Sequence, residues 1–131
     1  MRDLASNIGI ATALTPAVHA ATVKGQTIDT LGFQTVAVVI TSGAIAGDGD
    51  FTAKLQESDS TTDGDFTDVA ADHLIGTLPA SLAADSAVKQ GYIGYKRYVR
   101  LVVTKNSGTS VAAGAVAVLS GAHTRPVAVA A

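Results

Sequence analysis

Apolar and polar residues alternate along much of the chain with the two-residue period of a half-buried β-strand. In the segment 51–57 (FTAKLQE), Phe51, Ala53 and Leu55 occupy one set of alternate positions and polar residues fill the others. The segment 97–104 (RYVRLVVT) shows a similar alternation. Because successive side chains of a strand point to opposite faces, each segment would present one apolar face to a core. No segment shows a sustained helical period, so strands are expected throughout.

The segment 33–41 (FQTVAVVIT) differs because it is an almost continuous β-branched run, typical of a strand that is covered on both faces. Turn residues such as Ser42-Gly43 and Asn106-Ser107-Gly108 separate the candidate strands. The other strand candidates are 66–70, 74–78 and 111–119. Six or more short strands with frequent turns predict an all-β fold, an antiparallel β-sandwich or jelly-roll-like domain.

The ends of the chain differ from its middle. We interpret residues 1–30 as an extended N-terminal arm and edge strand, 31–124 as the β-sandwich domain and 125–131 as an extended C-terminal tail. Hydrophobic residues make up 47% of the 131 residues, but 24 of them are Ala, and 13 further residues are Gly. The core is therefore expected to be thin, and we expect neighbouring subunits to supply part of the stability.

Charge is distributed unevenly along the chain, although the net charge is only −2. All 11 acidic residues lie in 1–85, whereas 86–131 contains six basic residues and no acidic one. This polarity favours a head-to-tail contact between molecules, and it argues against nucleic acid as a partner because the acidic half would repel phosphate. Tyrosine and arginine are enriched at protein interfaces. The predicted interface residues are Tyr92, Tyr95, Arg97, Tyr98, Arg100 and Arg125.

The acidic segment 47–68 has some of the features of a calcium site. Starting at Asp59, its spacing matches several positions of an EF-hand loop, but Ala70 stands where a bidentate Glu is needed. The expectation is a solvated hairpin tip with no metal. A looser Ca²⁺ site remained open as an alternative, with Asp48, Asp50, Asp63, Asp65 and Asp68 as its candidate ligands.

No arrangement typical of an enzyme is visible. The chain has no cysteine, which excludes disulfides and thiol catalysis, and its three histidines lie far apart in sequence. No glycine-rich segment has the strand–loop–helix context of a phosphate site. We therefore predict a protein that is not an enzyme and has no cofactor. The uncharged stretch 4–23 is too polar for a membrane span, so no membrane partner is expected either.

An ordered set of motifs gives the chain a resemblance to a known group. It comprises Gly32-Phe33 and an apolar strand, Gly47 to Phe51, Leu55-Gln56-Glu57-Ser58-Asp59, Phe66-Thr67-Asp68-Val69, Tyr92 to Arg100, and Arg125-Pro126-Val127. With these motifs the chain resembles small β-sandwich structural proteins of tailed bacteriophages and prophages, of the head decoration (cement) type.

The resemblance implies a virion protein that is synthesised in the cytoplasm of a bacterial host and placed on the head surface. There it would bind the major capsid protein of an HK97-type shell, together with sister copies as a homotrimer, and stabilise the shell by bridging capsomers. Two alternatives remained open: a head–tail connector, tail or head-fibre component, and a glycan- or Ca²⁺-dependent adhesion module on the virion surface.

Overall fold

The computed structural model describes residues 3–123, which form ten β-strands and three one-turn 3₁₀ helices. The strands are β1 (Gly9–His19), β2 (Val23–Lys24), β3 (Ile28–Asp29), β4 (Thr35–Ala46), β5 (Asp50–Ser58), β6 (Thr67–Asp68), β7 (Leu74–Ile75), β8 (Ser86–Tyr92), β9 (Tyr98–Ser107) and β10 (Ser110–Ser120). The 3₁₀ helices are Ala5–Asn7, Asp63–Asp65 and Ala71–His73. No helix in this part of the chain has the length and hydropathy needed to cross a membrane.

The strands form two antiparallel sheets. Sheet A has the order β1-β10-β4-β8-β7, and sheet B has the order β2-β9-β5-β6, with β3 also paired to β9. Every strand pair is antiparallel. The prediction of an all-β antiparallel sandwich is confirmed.

Two β-arches form the centre of the sandwich. The chain passes from β4 in sheet A to β5 in sheet B through residues 47–49, and from β9 in sheet B to β10 in sheet A through 108–109. β4 pairs with β10 while β5 pairs with β9, so the two arches lie side by side. At their bends the backbones touch, because a Cβ on Gly108 would overlap the Cα of Gly49 and come within 2.6 Å of its nitrogen.

The core lies between the two inner faces and is built from alternate residues of the arch strands. Its largest fully buried side chains are Phe51, Leu14, Ile28, Ile40, Leu101, Leu119, Val38, Val99, Val103 and Val111. Four alanines of the core, Ala13, Ala113, Ala115 and Ala117, come from the neighbouring strands β1 and β10. The small side chains predicted to give a thin core therefore lie mainly where these two strands face the opposite sheet.

The N-terminal segment does not form a separate arm in the described chain, which corrects that part of the sequence interpretation. Residues 9–19 are extended, but they form the edge strand β1 and pair with β10 of the same chain. Ala13 and Leu14 are buried in the core. Gln26 N–H also donates a hydrogen bond of 2.9 Å to the Ala13 carbonyl, which ties β1 to the segment that leads to sheet B. The predicted tail, 125–131, lies outside the described residues.

Several local expectations also changed. Of the segments 66–70 and 74–78, only Thr67–Asp68 and Leu74–Ile75 are strands. In β4, Val36, Val38 and Ile40 are buried, as expected for a core strand, but Thr41 on the opposite face is exposed. The expectation that this strand is covered on both faces is therefore wrong for the chain as described.

Because the arches are in contact at Gly108, substitution of this glycine should destabilise the protein more than substitution of Gly32. Gly108 has φ +81° and no space for a Cβ, whereas Gly32 has φ +92° and no heavy atom within 4 Å of a Cβ. Gly108→Ala should lower the free energy of unfolding by about 3 kcal/mol through overpacking and a strained backbone. Gly32→Ala should cost only about 1 kcal/mol, from the backbone alone. Urea denaturation followed by circular dichroism measures both, and equal losses would contradict the close approach of the two bends.

Candidate functional site

One end of the sandwich gathers the loops that connect strands within and between the sheets. This loop end consists of residues 30–34, 59–66, 93–97 and 121–123. Backbone hydrogen bonds join the loops: Thr30 N–H donates to the Arg97 carbonyl at 3.0 Å, and His123 N–H donates to the Gly32 carbonyl at 2.9 Å. The loop end is therefore a surface of defined shape.

Basic residues at the loop end pair with acidic residues of the same chain. Arg97 donates two hydrogen bonds to Asp29, from Nε at 2.9 Å and from Nη2 at 2.8 Å. Lys96 Nζ lies 2.7 Å from Asp59 Oδ2. The basic residues Lys96 and Arg97 are therefore paired within the molecule, which leaves them less available for the predicted head-to-tail attraction, while within residues 3–123 Asp65 of the same end is bonded only to the Ser60 hydroxyl.

Arg100 holds the acidic loop against the outer face of sheet B. Its side chain points away from the core, yet the residue is only 6% exposed because the loop 59–66 folds over it. Its Nη1 donates to Asp63 Oδ1 at 2.6 Å and its Nε donates to Gln56 Oε1 at 2.9 Å. The guanidinium carbon lies 4.1 Å from the centre of the Phe66 ring, a cation–π contact.

Tyr92 lies under the loop 93–97, on its core side, and holds it in place. Its hydroxyl donates to Glu57 Oε1 at 2.6 Å and accepts a hydrogen bond from the Lys96 backbone N–H at 3.0 Å. Burial, and then the hydrogen bond to Glu57, raises the pKa of Tyr92 well above its ordinary value. The loop lies directly on this ring, since a Cβ on Gly94 would come within 2.5 Å of the hydroxyl oxygen. Tyr92 is therefore an internal support for the loop.

Five of the six predicted interface residues lie in the described chain, and they fall into three groups. Tyr92 and Arg100 are buried in contacts within the chain, so the interface role predicted for them is corrected to a structural one. Arg97 and Tyr98 are adjacent, and the Arg97 guanidinium carbon lies 5.0 Å from the centre of the Tyr98 ring. Tyr95 is 90% exposed. Arg125 lies outside the described residues.

Tyr95 is exposed but supported on one side. The His73 ring lies edge-on to it, with the ring centres 5.4 Å apart. His73 itself is held by the backbone, because its carbonyl accepts a hydrogen bond of 2.8 Å from Ile93 N–H. The aromatic side chain is thus presented to solvent with restricted freedom.

Two apolar residues of the loop end were missed by sequence reasoning. Leu31 is 67% exposed and Ile93 is 51% exposed, and they lie on two of the joined loops. Each is a single apolar residue directly followed by glycine, in Leu31-Gly32 and Ile93-Gly94. An apolar residue before a glycine, where a strand has ended or has not yet begun, was the available signal, because such a residue is not held in the core by a strand.

The acidic segment does not converge on one point. Asp63 pairs with Lys24 and Arg100, Asp68 pairs with Lys54, and Asp59 pairs with Lys96. Among residues 3–123, no three His, Asp or Glu side chains are grouped so that they could hold a metal ion. The looser calcium site therefore gains no support from the described residues.

Comparison of the sequence with known proteins does not assign the chain to a family. No model of a protein family matches the chain, and a search of curated proteins finds no match.

The two arginines of the loop end predict different costs of removal. Arg100→Ala should lower the free energy of unfolding by about 2–3 kcal/mol, because charged hydrogen bonds and the covering of sheet B are lost together. Arg97→Ala should cost at most about 1 kcal/mol, because its ion pair with Asp29 is partly exposed to water. Chemical denaturation of both variants tests the difference. Equal costs would show that the loop is not anchored through Arg100.

The ion pairs also predict an acid-dependent loss of stability. Hydrogen bonds from Arg100 and then Lys24 hold the pKa of Asp63 below its ordinary value, and Arg97 does the same for the pKa of Asp29. A carboxyl with a lowered folded-state pKa contributes stability above its unfolded pKa of about 4 and loses it as the pH falls through the folded value. Stability should therefore be level near neutral pH and decline below about pH 4.

Asp63→Asn isolates one of these contributions. This variant should be less stable than the unaltered chain at neutral pH, and the two stability curves should converge in acid because Asp63 is then protonated in both states. Denaturation midpoints between neutral and acidic pH give the curves. Asp48→Asn is the control, since Asp48 pairs with no base among residues 3–123, and its curve should run parallel to that of the unaltered chain. A parallel curve for Asp63→Asn would refute its role.

Proposed function

We propose that the protein is a capsid decoration protein of a tailed bacteriophage, which binds the outside of the head shell and stabilises it by bridging capsomers. The observation that carries the proposal is the exposure of Tyr95, with Leu31 and Ile93, on hydrogen-bonded loops at one end of the sandwich. The resemblance of the ordered sequence motifs to phage head proteins supports the choice of the capsid as partner.

The arrangement suits a protein that acts by binding alone. A tyrosine buries roughly 150–250 Å² when it is covered, and aromatic anchors commonly dominate interface energetics. Because the loops are joined by hydrogen bonds and Tyr95 leans on His73, little conformational freedom is lost on docking. Each copy makes a small contact, and bridging between capsomers comes from sister copies that act together on the particle, where the homotrimer implied by the resemblance would be assembled.

The ion pairs at the loop end indicate which forces would hold the protein on the capsid. The basic residues Lys96 and Arg97 already have partners within the chain. Attachment through Leu31, Ile93 and Tyr95 is then mainly apolar, and salt screens apolar contacts far less than exposed charges. Such a protein would stay on its particle at high ionic strength.

Copy number in purified particles tests the proposal. Particles from a phage or prophage that encodes this chain are separated on a gel, and its band is quantified against the major capsid protein. A decoration protein gives hundreds of copies per particle. A copy number of six to twelve would assign the chain to a connector instead, and absence from the particle would overturn the proposal altogether.

Within this model, Tyr95→Ala should reduce occupancy on particles while leaving the fold unchanged, because the side chain is 90% exposed in the described chain. A loss of at least tenfold in affinity is expected if Tyr95 is a central anchor, which corresponds to about 1.4 kcal/mol. Occupancy is measured by adding back each variant to particles that lack the protein.

Val18→Ala is the matched control, since Val18 is an exposed apolar residue near the opposite end of the sandwich, 69% exposed. Its occupancy should equal that of the unaltered protein. Full occupancy of the Tyr95→Ala variant would show that the loop end is not the docking surface.

A further inference from the structure

The outer face of sheet A is mostly apolar. One row of side chains crosses all five strands through the aligned residues Ile75, Gly91, Ala37, Val118 and Ile10. The next row passes through Lys89, Val39, Val116 and Thr12. Apart from Lys89 these side chains are short, which allows a second sheet to approach to the usual distance of about 10 Å.

Charge separates this face sharply from sheet B. The five strands of sheet A contain one residue of the types Asp, Glu, Lys or Arg, which is Lys89. The strands of sheet B contain eight: Lys24, Asp29, Asp50, Lys54, Glu57, Asp68, Arg100 and Lys105. Sheet B has its outer face partly covered by the loop 59–66, through Arg100 and Phe66.

Nothing comparable covers sheet A in the part of the chain that the structure describes. Val116, at the middle of the face, is 40% exposed, while Ile10 and Ile75 near its two sides are 44% and 57% exposed. Lys89 lies at the rim, because β7 extends only along Tyr92 and Gly91 and leaves β8 as the edge strand at this level. An apolar centre with a charge at the rim is the arrangement of a protein–protein interface.

We propose that this face packs against the same face of a second copy of the chain, related by a two-fold axis. Beside Val116 lies a depression of about 200 Å³ that is lined by residues including Thr12, Pro16 and Gly114. In a two-fold contact the same patch contributes to both sides. Val116 of each copy can therefore enter the depression of the other copy.

The area suffices for a stable pair. β1, β4 and β10 have 11, 12 and 11 residues, whereas β8 has 7 and β7 has 2. With a rise of about 3.3 Å per residue and a strand spacing of about 4.8 Å, these strands give a projected face of roughly 600 Å². Two copies would bury about 1,200 Å², which reaches the size of specific interfaces. A strongly charged partner could form an ion pair only with Lys89 on this face. A second copy would instead bury its own apolar face against this one. Lys89 at the rim keeps its ammonium group in water while its stem lies along the partner.

This inference does not depend on the proposed function, since it concerns the isolated chain and a surface other than the loop end. Copy number on a particle and self-association in solution are separate measurements, so either can fail while the other holds.

Sedimentation equilibrium of the full 131-residue chain tests the pair. The unaltered chain should give about twice the monomer mass of 13.1 kDa. Val116→Lys places a charge at the centre of the face and should shift the mass to that of the monomer, with at least a hundredfold weaker association. Thr12→Arg changes a position that is already polar and exposed, so it carries less risk to folding, and it should also weaken association because the longer side chain fills the depression beside Val116.

Thr104→Lys is the matched control, because Thr104 occupies an outward position of β9 in sheet B, opposite Thr52. It should remain a dimer, and circular dichroism checks that all variants keep their strands. The proposal is overturned if the unaltered chain is a monomer at all concentrations tested. It is equally overturned if Thr12→Arg and a folded Val116→Lys both leave its oligomeric mass unchanged, since association would then use another surface.

Discussion

The side-by-side packing of two β-arches determines the position of almost every other element. The bends meet backbone against backbone at Gly49 and Gly108, where β4 lies beside β10 in one sheet and β5 lies beside β9 in the other. β1 and β8 then add to the flanks of sheet A, and β2, β3 and β6 add to sheet B. The loop end lies at the far end of the same strands, so its geometry follows from the same contact.

Intramolecular ion pairs determine what the surface offers to other molecules. A chain that is acidic in its first part and basic in its last part has its opposite charges brought together on folding, as Asp29 with Arg97 and Asp63 with Arg100 show. Exposed apolar residues remain at the loop end and on the outer face of sheet A. Burial of these two surfaces against another molecule would give the largest favourable free energy. The two surfaces are distinct, so one molecule can use both.

Local pattern predicted the strands whose burial depends on their own sequence. The alternation in 51–57 and 97–104 became β5 and β9, and even the outward direction of Arg100 follows from its position among Val99 and Leu101. The burial of Arg100 could not be predicted, because it depends on a loop some forty residues away in sequence that folds back over the sheet. The two-residue strands β6 and β7 were overestimated for a related reason, since their length is decided by their partners rather than by their own residues.

The shortness of these two strands has a consequence for crowded conditions. β6 and β7 end their sheets after two residues, and beyond β6 the edge of β5 is bonded by Leu82 N–H to the Phe51 carbonyl at 2.8 Å. The exposed edge of β1 carries Pro16, which cannot donate a backbone hydrogen bond. Two irregularities in the pairing of β1 with β10 interrupt the same edge, and residues 86–90 of β8 form a second short edge beyond β7. Copies that crowd together therefore meet mainly short stretches of strand edge along which a foreign strand could be added.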